Sequence, residues 1–97
     1  MIIKKTIEKD LHGNGPVEDV QYFGKDAEEF LKSIKWDKSI KYLGKECTAD
    51  KNQHGIIIGF EDSQSFFDYY YIVYIPETEK VTYNLANDAD FVKSIKL

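Results

Sequence analysis

Cys47, His12 and His54 are the residues best suited to nucleophilic or general-base chemistry. Three adjacent acid pairs, Glu18-Asp19, Glu28-Glu29 and Glu61-Asp62, are those best suited to acid–base work. A thiol nucleophile needs a base within hydrogen-bond reach and a group that orients the base. Cys47 lies in a Lys/Glu-rich stretch rather than a tight nucleophile turn, so an incidental thiol is the simpler reading. The histidines stand far apart, and neither has a second ligand two to four residues on, so no metal-site spacing is present. Adjacent acids on a strand or turn point apart, and Glu28-Glu29 falls where a helix begins; capping and solvation account for the pairs. No Gly-rich phosphate loop, GxSxG elbow, HExxH pair or EF-hand loop occurs, and Gly13-Asn14-Gly15 runs into Pro16 instead of Lys-Ser or Lys-Thr. The expectation is a chain with no catalytic residue, no metal site and no cofactor.

The elements that position any working surface follow from hydrophobic period and chain breakers. Residues 2–7 predict a first strand, residues 10–16 a loop holding Gly13, Gly15 and Pro16, and residues 17–22 a short extended piece. Asp26 predicts a helix start as N-cap, with Glu29 completing a capping box, and Ala27, Phe30, Leu31 and Ile34 form one buried stripe. Residues 38–45 predict a strand through Ile40, Tyr42 and Leu43, and residues 45–53 a mobile loop. The densest β signal follows in residues 56–60, 66–75 and 81–85, joined by residues 61–65 and by a hairpin loop at residues 76–80. Residues 87–90 look like a second helix start with Phe91, Val92 and Ile95 on one side, although strand alternation fits the last seven residues as well. The class is α+β: an antiparallel sheet, with a meander of at least three strands, and one or two helices packed on one face.

Strand alternation through residues 66–75 separates Phe67, Tyr69, Tyr71, Val73 and Ile75, a core-like set, from Phe66, Asp68, Tyr70, Ile72 and Tyr74. The second set fits either a covered strand or an open face used in recognition, because Tyr is favoured at interfaces and a carboxylate there can meet Lys or Arg.

At 97 residues the chain is sized for a single domain, 1–97, burying roughly two thirds of its unfolded surface, with aromatic residues at 14% supplying much of the burial. One cysteine permits no internal disulfide, no apolar run approaches a membrane span, and the start turns charged at Lys4-Lys5 before a signal-peptide core can form. These features predict a cytoplasmic protein with no membrane partner. The net charge is −4, and all of the excess lies in residues 52–97, which hold seven acids against Lys80, Lys93 and Lys96. Every base is Lys; the absence of Arg removes the forked donor best suited to phosphate and base edges, which disfavours direct nucleic-acid binding.

In size, acidity, lack of a catalytic motif and α+β layout, the whole chain is similar to bacterial immunity proteins that neutralise cognate nuclease toxins, including those of contact-dependent inhibition systems. The resemblance implies a protein toxin as partner, expected to be basic, and no cofactor; it transfers no residue assignment. Charge and alternation nominate Glu61, Asp62, Asp68, Tyr70, Tyr74, Glu77 and Glu79 as the partner-binding set. The competing expectation is a phage or mobile-element mimic of nucleic acid that blocks a DNA-binding enzyme, and an enzyme using Cys47 or a histidine ranks last.

Overall fold

Six antiparallel strands, two α-helices and two short 3₁₀ segments make up the computed structural model, which describes residues 1–9 and 11–97. The strands are β1 (Ile2–Ile7), β2 (Val17–Phe23), β3 (Glu46–Thr48), β4 (His54–Ser63), β5 (Asp68–Ile75) and β6 (Lys80–Leu85); the helices are α1 (Gly24–Ser33) and α2 (Ala89–Ser94). The sheet runs β1-β2-β4-β5-β6, with β3 continuing the β2 side of β4. Residues 11–16 form the expected turn, and Asp10, the first residue of that expected loop, lies outside the described residues.

Aromatic rings on one face of the sheet fix where the helices sit. Phe30 of α1 stacks on Tyr22 at 4.1 Å between ring centroids and lies 6.0 Å from both Phe60 and Tyr69. Phe91 of α2 lies 5.8 Å from Tyr71, so both helices cover the face that carries Tyr22, Phe60, Tyr69 and Tyr71. The apolar stripe of α1 behaves as its period requires: Ala27 and Leu31 are fully buried, and Phe30 and Ile34 pack at the edge of the core.

The start of α1 differs from the expected capping box. Gly24, at φ +59°, turns the chain out of β2 straight into the helix, leaving Phe23 as an N-cap without a side-chain bond. Asp26 is therefore inside the first turn, where its carboxylate pairs with the Met1 amino group at 2.7 Å. In α2 the expected start holds, because Asp88 accepts from the backbone N–H groups of Asp90 (3.0 Å) and Phe91 (3.2 Å). Asp88→Ala is expected to lower unfolding free energy by about 0.5–2 kcal/mol. Asp26→Ala, which removes an exposed ion pair, should lower it by less than about 1 kcal/mol. Parallel urea titrations check the order.

Three further segments correct the sequence reading. Residues expected as a strand through Ile40, Tyr42 and Leu43 form a 3₁₀ helix, Asp37–Tyr42, closed by Ser39 N–H to Trp36 C=O (2.8 Å) and Leu43 N–H to Ile40 C=O (3.2 Å). Trp36, Ile40, Tyr42 and Leu43 all pack against the core, which the tighter winding brings onto one side. The expected mobile loop at residues 45–53 contains β3, held by β4 on one edge and by Lys96 N–H to Glu46 C=O (2.8 Å) on the other, and it buries Cys47 and Ala49. Strand β4 continues to Ser63, so the turn falls at residues 64–67. Phe67, expected in the core, sits in that turn at φ +56° and is 63% exposed.

Candidate protein-docking face

Strand alternation gives the sheet a second face, and none of the described helices covers it. Register sets its rows. Ile3, Gln21, Glu61, Tyr70 and Leu85 form one line across β1, β2, β4, β5 and β6, and Phe23, Gly59, Ile72 and Tyr83 form the next. Beyond them come Ile56, Tyr74 and Val81 on one side and the Lys5–Asp19 and Ser63–Asp68 pairs on the other.

Strand β6 is inverted relative to an ordinary amphipathic strand. Its apolar set Val81, Tyr83 and Leu85 is 45%, 44% and 39% exposed, whereas Asn84 is turned toward the helices and is 6% exposed. A two-residue-period strand that only needed to fold would bury the first set. Ile3 and Phe66 add further exposed apolar side chains to this side of the sheet at 44% and 55%.

Polar groups tie this face together. Gln21 Nε2 donates to Glu61 Oε1 and to the Tyr83 hydroxyl, both at 2.9 Å. Tyr83 belongs to β6 and Gln21 to β2, so the two side chains meet across the intervening strands β5 and β4. Ile72, which registers with Tyr83, is 1% exposed although no helix lies above it. Gly59 has no room for a side chain: a Cβ there would lie 2.5 Å from the Tyr22 carbonyl oxygen and 2.8 Å from the Phe23 ring.

A cavity of about 290 Å³ opens beside this network, with Glu61, Asp19 and Lys5 on its polar side and Phe66, Tyr70 and Tyr83 on its aromatic side. Asp19 is pinned by Ser65, whose N–H (3.1 Å) and hydroxyl (3.0 and 3.1 Å to the two oxygens) both donate to it. Burial pushes the Glu61 carboxyl above its usual range; the Gln21 bond and Lys5 act against this, and Asp19 and Asp62 add to it. The Tyr70 phenol is raised by burial and by the charges of Asp68, Glu61 and Asp19. A concave, acidic site walled by aromatic rings suits a cationic side chain, which gains from both carboxylate and ring faces.

The nominated residues separate into three places. Glu61, Asp68, Tyr70 and Tyr74 share the open face. Asp62 pairs with Tyr69 on the helix side, where burial and then Asp19 push its carboxyl up, against the Gln64 bond. Glu77 and Glu79 are exposed in the β5–β6 turn, roughly 23 Å from Asp68 along an eight-residue strand. Sequence reasoning missed Lys5, Asp19, Gln21 and Tyr83. The alternation in residues 81–85 was the available signal for Tyr83, but it does not say which side of the sheet is covered.

Because the Glu61 carboxyl is raised, the native state holds its proton more tightly than the unfolded chain does. Its contribution to stability is greatest below the unfolded value, about pH 4.3, and is lost as pH rises through the native value. Glu61→Gln keeps an oxygen for Gln21 and should raise stability at pH 7. The gain should vanish in acid; denaturant melts across the range check it.

The groups first considered for catalysis do not assemble here. Cys47 is 2% exposed, and burial pushes its thiol up to about 11. It registers with Gly55 while Thr48 registers with His54, so Cys47 and His54 belong to opposite faces. His54 lies 3.4 Å from Glu46, and His12 rests against Phe67 at the other end of the sheet. No described helix is long and apolar enough to cross a membrane. The chain matches no protein-family model, no curated protein and no solved structure.

Proposed function

We propose that this chain is a protein-binding inhibitor of the immunity type, which neutralises a basic nuclease toxin by docking it on the helix-free face of the sheet. The observation that carries this reading is the inverted β6 strand, which presents Val81, Tyr83 and Leu85 outward beside Glu61 and Tyr70. A surface of exposed tyrosines and aliphatics around acids has the makeup of an interface core, with rings as anchors and carboxylates to select partner charge. In this reading the cavity beside Glu61 receives a lysine or arginine side chain of the toxin, and the acidic second half of the chain steers encounter. Such steering accelerates association by about 10–10³-fold at low salt.

The binding set proposed from sequence is accordingly narrowed to Glu61, Asp68, Tyr70 and Tyr74 and extended to Asp19 and Tyr83. Asp62, Glu77 and Glu79 are left to long-range steering. The test is capture from the source cell with tagged protein at low and then high salt, with the adjacent reading frame co-expressed. Stoichiometric recovery of a basic domain that kills cells when expressed alone supports immunity. Recovery of nothing, or of an acidic protein or a housekeeping DNA-binding enzyme, overturns it.

A further inference from the structure

The helix side of the sheet holds a second cavity, of about 380 Å³, between α2 and the turn at Asp50–Asn52. Asn84 lines it; the residue is 6% exposed, and neither its Nδ2 nor its Oδ1 has a hydrogen-bond partner. A buried carboxamide with donor and acceptor both unmade is strongly unfavourable, and native interiors rarely keep one. Part of the wall's polar surface is already engaged: Thr48 N–H donates to Ser94 Oγ at 3.0 Å, and Asp88 caps α2. Asp50, Asn52 and Asp90 are exposed at the rim, and no lysine lines the cavity. Among the described residues no group of three or more His, Cys, Asp or Glu is arranged to hold a metal ion; the rim carboxylates complement an organic cation.

We infer that this cavity binds a cationic amide: an amide that pairs with the Asn84 carboxamide, N–H to Oδ1 and C=O from Nδ2, and carries an ammonium or guanidinium group between Asp50 and Asp90. A second amide satisfies both Asn84 atoms at once with parallel bonds. The same pairing is offered by the primary carboxamide of a free basic amino-acid amide and, in an extended peptide, by the N–H and C=O of one residue, which point to the same side of the chain. The site faces away from the proposed docking surface and stands independently of it.

The test is an NMR titration of the protein with L-argininamide and, separately, with a blocked Gly-Arg-Gly peptide. The expected result is saturable movement of the Asn84 side-chain amide signals together with the Asp50 and Asp90 backbone signals. A preference for argininamide assigns a free ligand, and a preference for the peptide assigns a chain segment. Asn84→Leu, which fills the buried position with an apolar side chain, should weaken binding at least tenfold while the melting temperature is kept or raised. Exchanging Asp50 and Asp90 together for Asn alters only exposed groups and should weaken binding at least tenfold, removing its salt dependence. Absence of saturable shifts with both probes at millimolar concentration, or unchanged binding in the double variant, would overturn the assignment and leave Asn84 bonded to an ordered water.

Discussion

Replacing Phe60 with alanine is expected to destabilise the protein by about 3–5 kcal/mol, the largest effect of any single truncation in the core. The side chain is fully buried, and its ring lies within 5.2–6.0 Å, centroid to centroid, of Tyr71, Tyr69, Phe30 and Trp36. Those four neighbours come from β5, α1 and the segment entering the 3₁₀ helix, so the void would loosen every layer on the helix side at once. A domain of this size has roughly 5–15 kcal/mol in total, and the variant should unfold at a markedly lower urea concentration with an unchanged slope. Trp36, the only tryptophan, touches the Phe60 ring and reports the transition by fluorescence. A loss below about 1 kcal/mol would mean that the aromatic cluster does not organise the core.

Glu61→Lys is expected to weaken partner binding at least a hundredfold, the largest effect of any change on the open face. The substitution turns the carboxylate beside Tyr70 and Tyr83 into a cation next to Lys5, in a site proposed to receive a partner's base, and like charges facing that base are strongly unfavourable. Glu61→Gln separates charge from structure. It retains the Gln21 contact and should weaken binding by less than the reversal while raising stability at neutral pH, a pattern that a purely structural role would not produce. Tyr70→Ala tests the aromatic anchor and should also weaken binding, with the Glu77 and Glu79 positions contributing mainly to association rate. Titration calorimetry, with thermal melts as the folding control, measures the affinities, and stopped-flow mixing at two salt concentrations measures the association rate.

Much of the architecture was legible because local signals and tertiary needs agreed. The stripe Ala27, Phe30, Leu31 and Ile34 allows only one buried side, and Asp88 is a short acceptor placed where the first free N–H groups of α2 begin. Agreement failed where a local pattern had two solutions. Ile40, Tyr42 and Leu43 suit a strand or a tight helix equally well, and the choice depended on whether a sheet edge was free to receive them. Cys47 and Ala49 alternate over too few residues to announce β3, which exists because β4 and the chain near Lys96 flank it. The start of α1 was misplaced because Gly24 supplies the turn by backbone conformation alone, without the side-chain cap that sequence patterns reveal.

The docking face was half legible for a related reason. Alternation through β5 correctly grouped Asp68, Tyr70 and Tyr74, since side chains two apart share a face whatever surrounds them. Lys5, Asp19, Gln21 and Tyr83 joined them only through register between strands distant in sequence, and the Gln21–Tyr83 bond spans 62 residues. Glu61 and Asp62 fell in the expected connection at residues 61–65, where no strand period applies; β4 runs through both and puts them on opposite faces.

The measurement that bears most directly on the proposed role is growth rescue. Cells expressing the captured basic partner would receive either this protein, its Glu61→Lys variant, or its Asp50→Asn/Asp90→Asn variant. Survival with the unaltered protein and with the double variant, and death with Glu61→Lys at equal protein level, is the predicted result. Equal survival with all three would contradict docking on the helix-free face, and death with all three would contradict immunity itself.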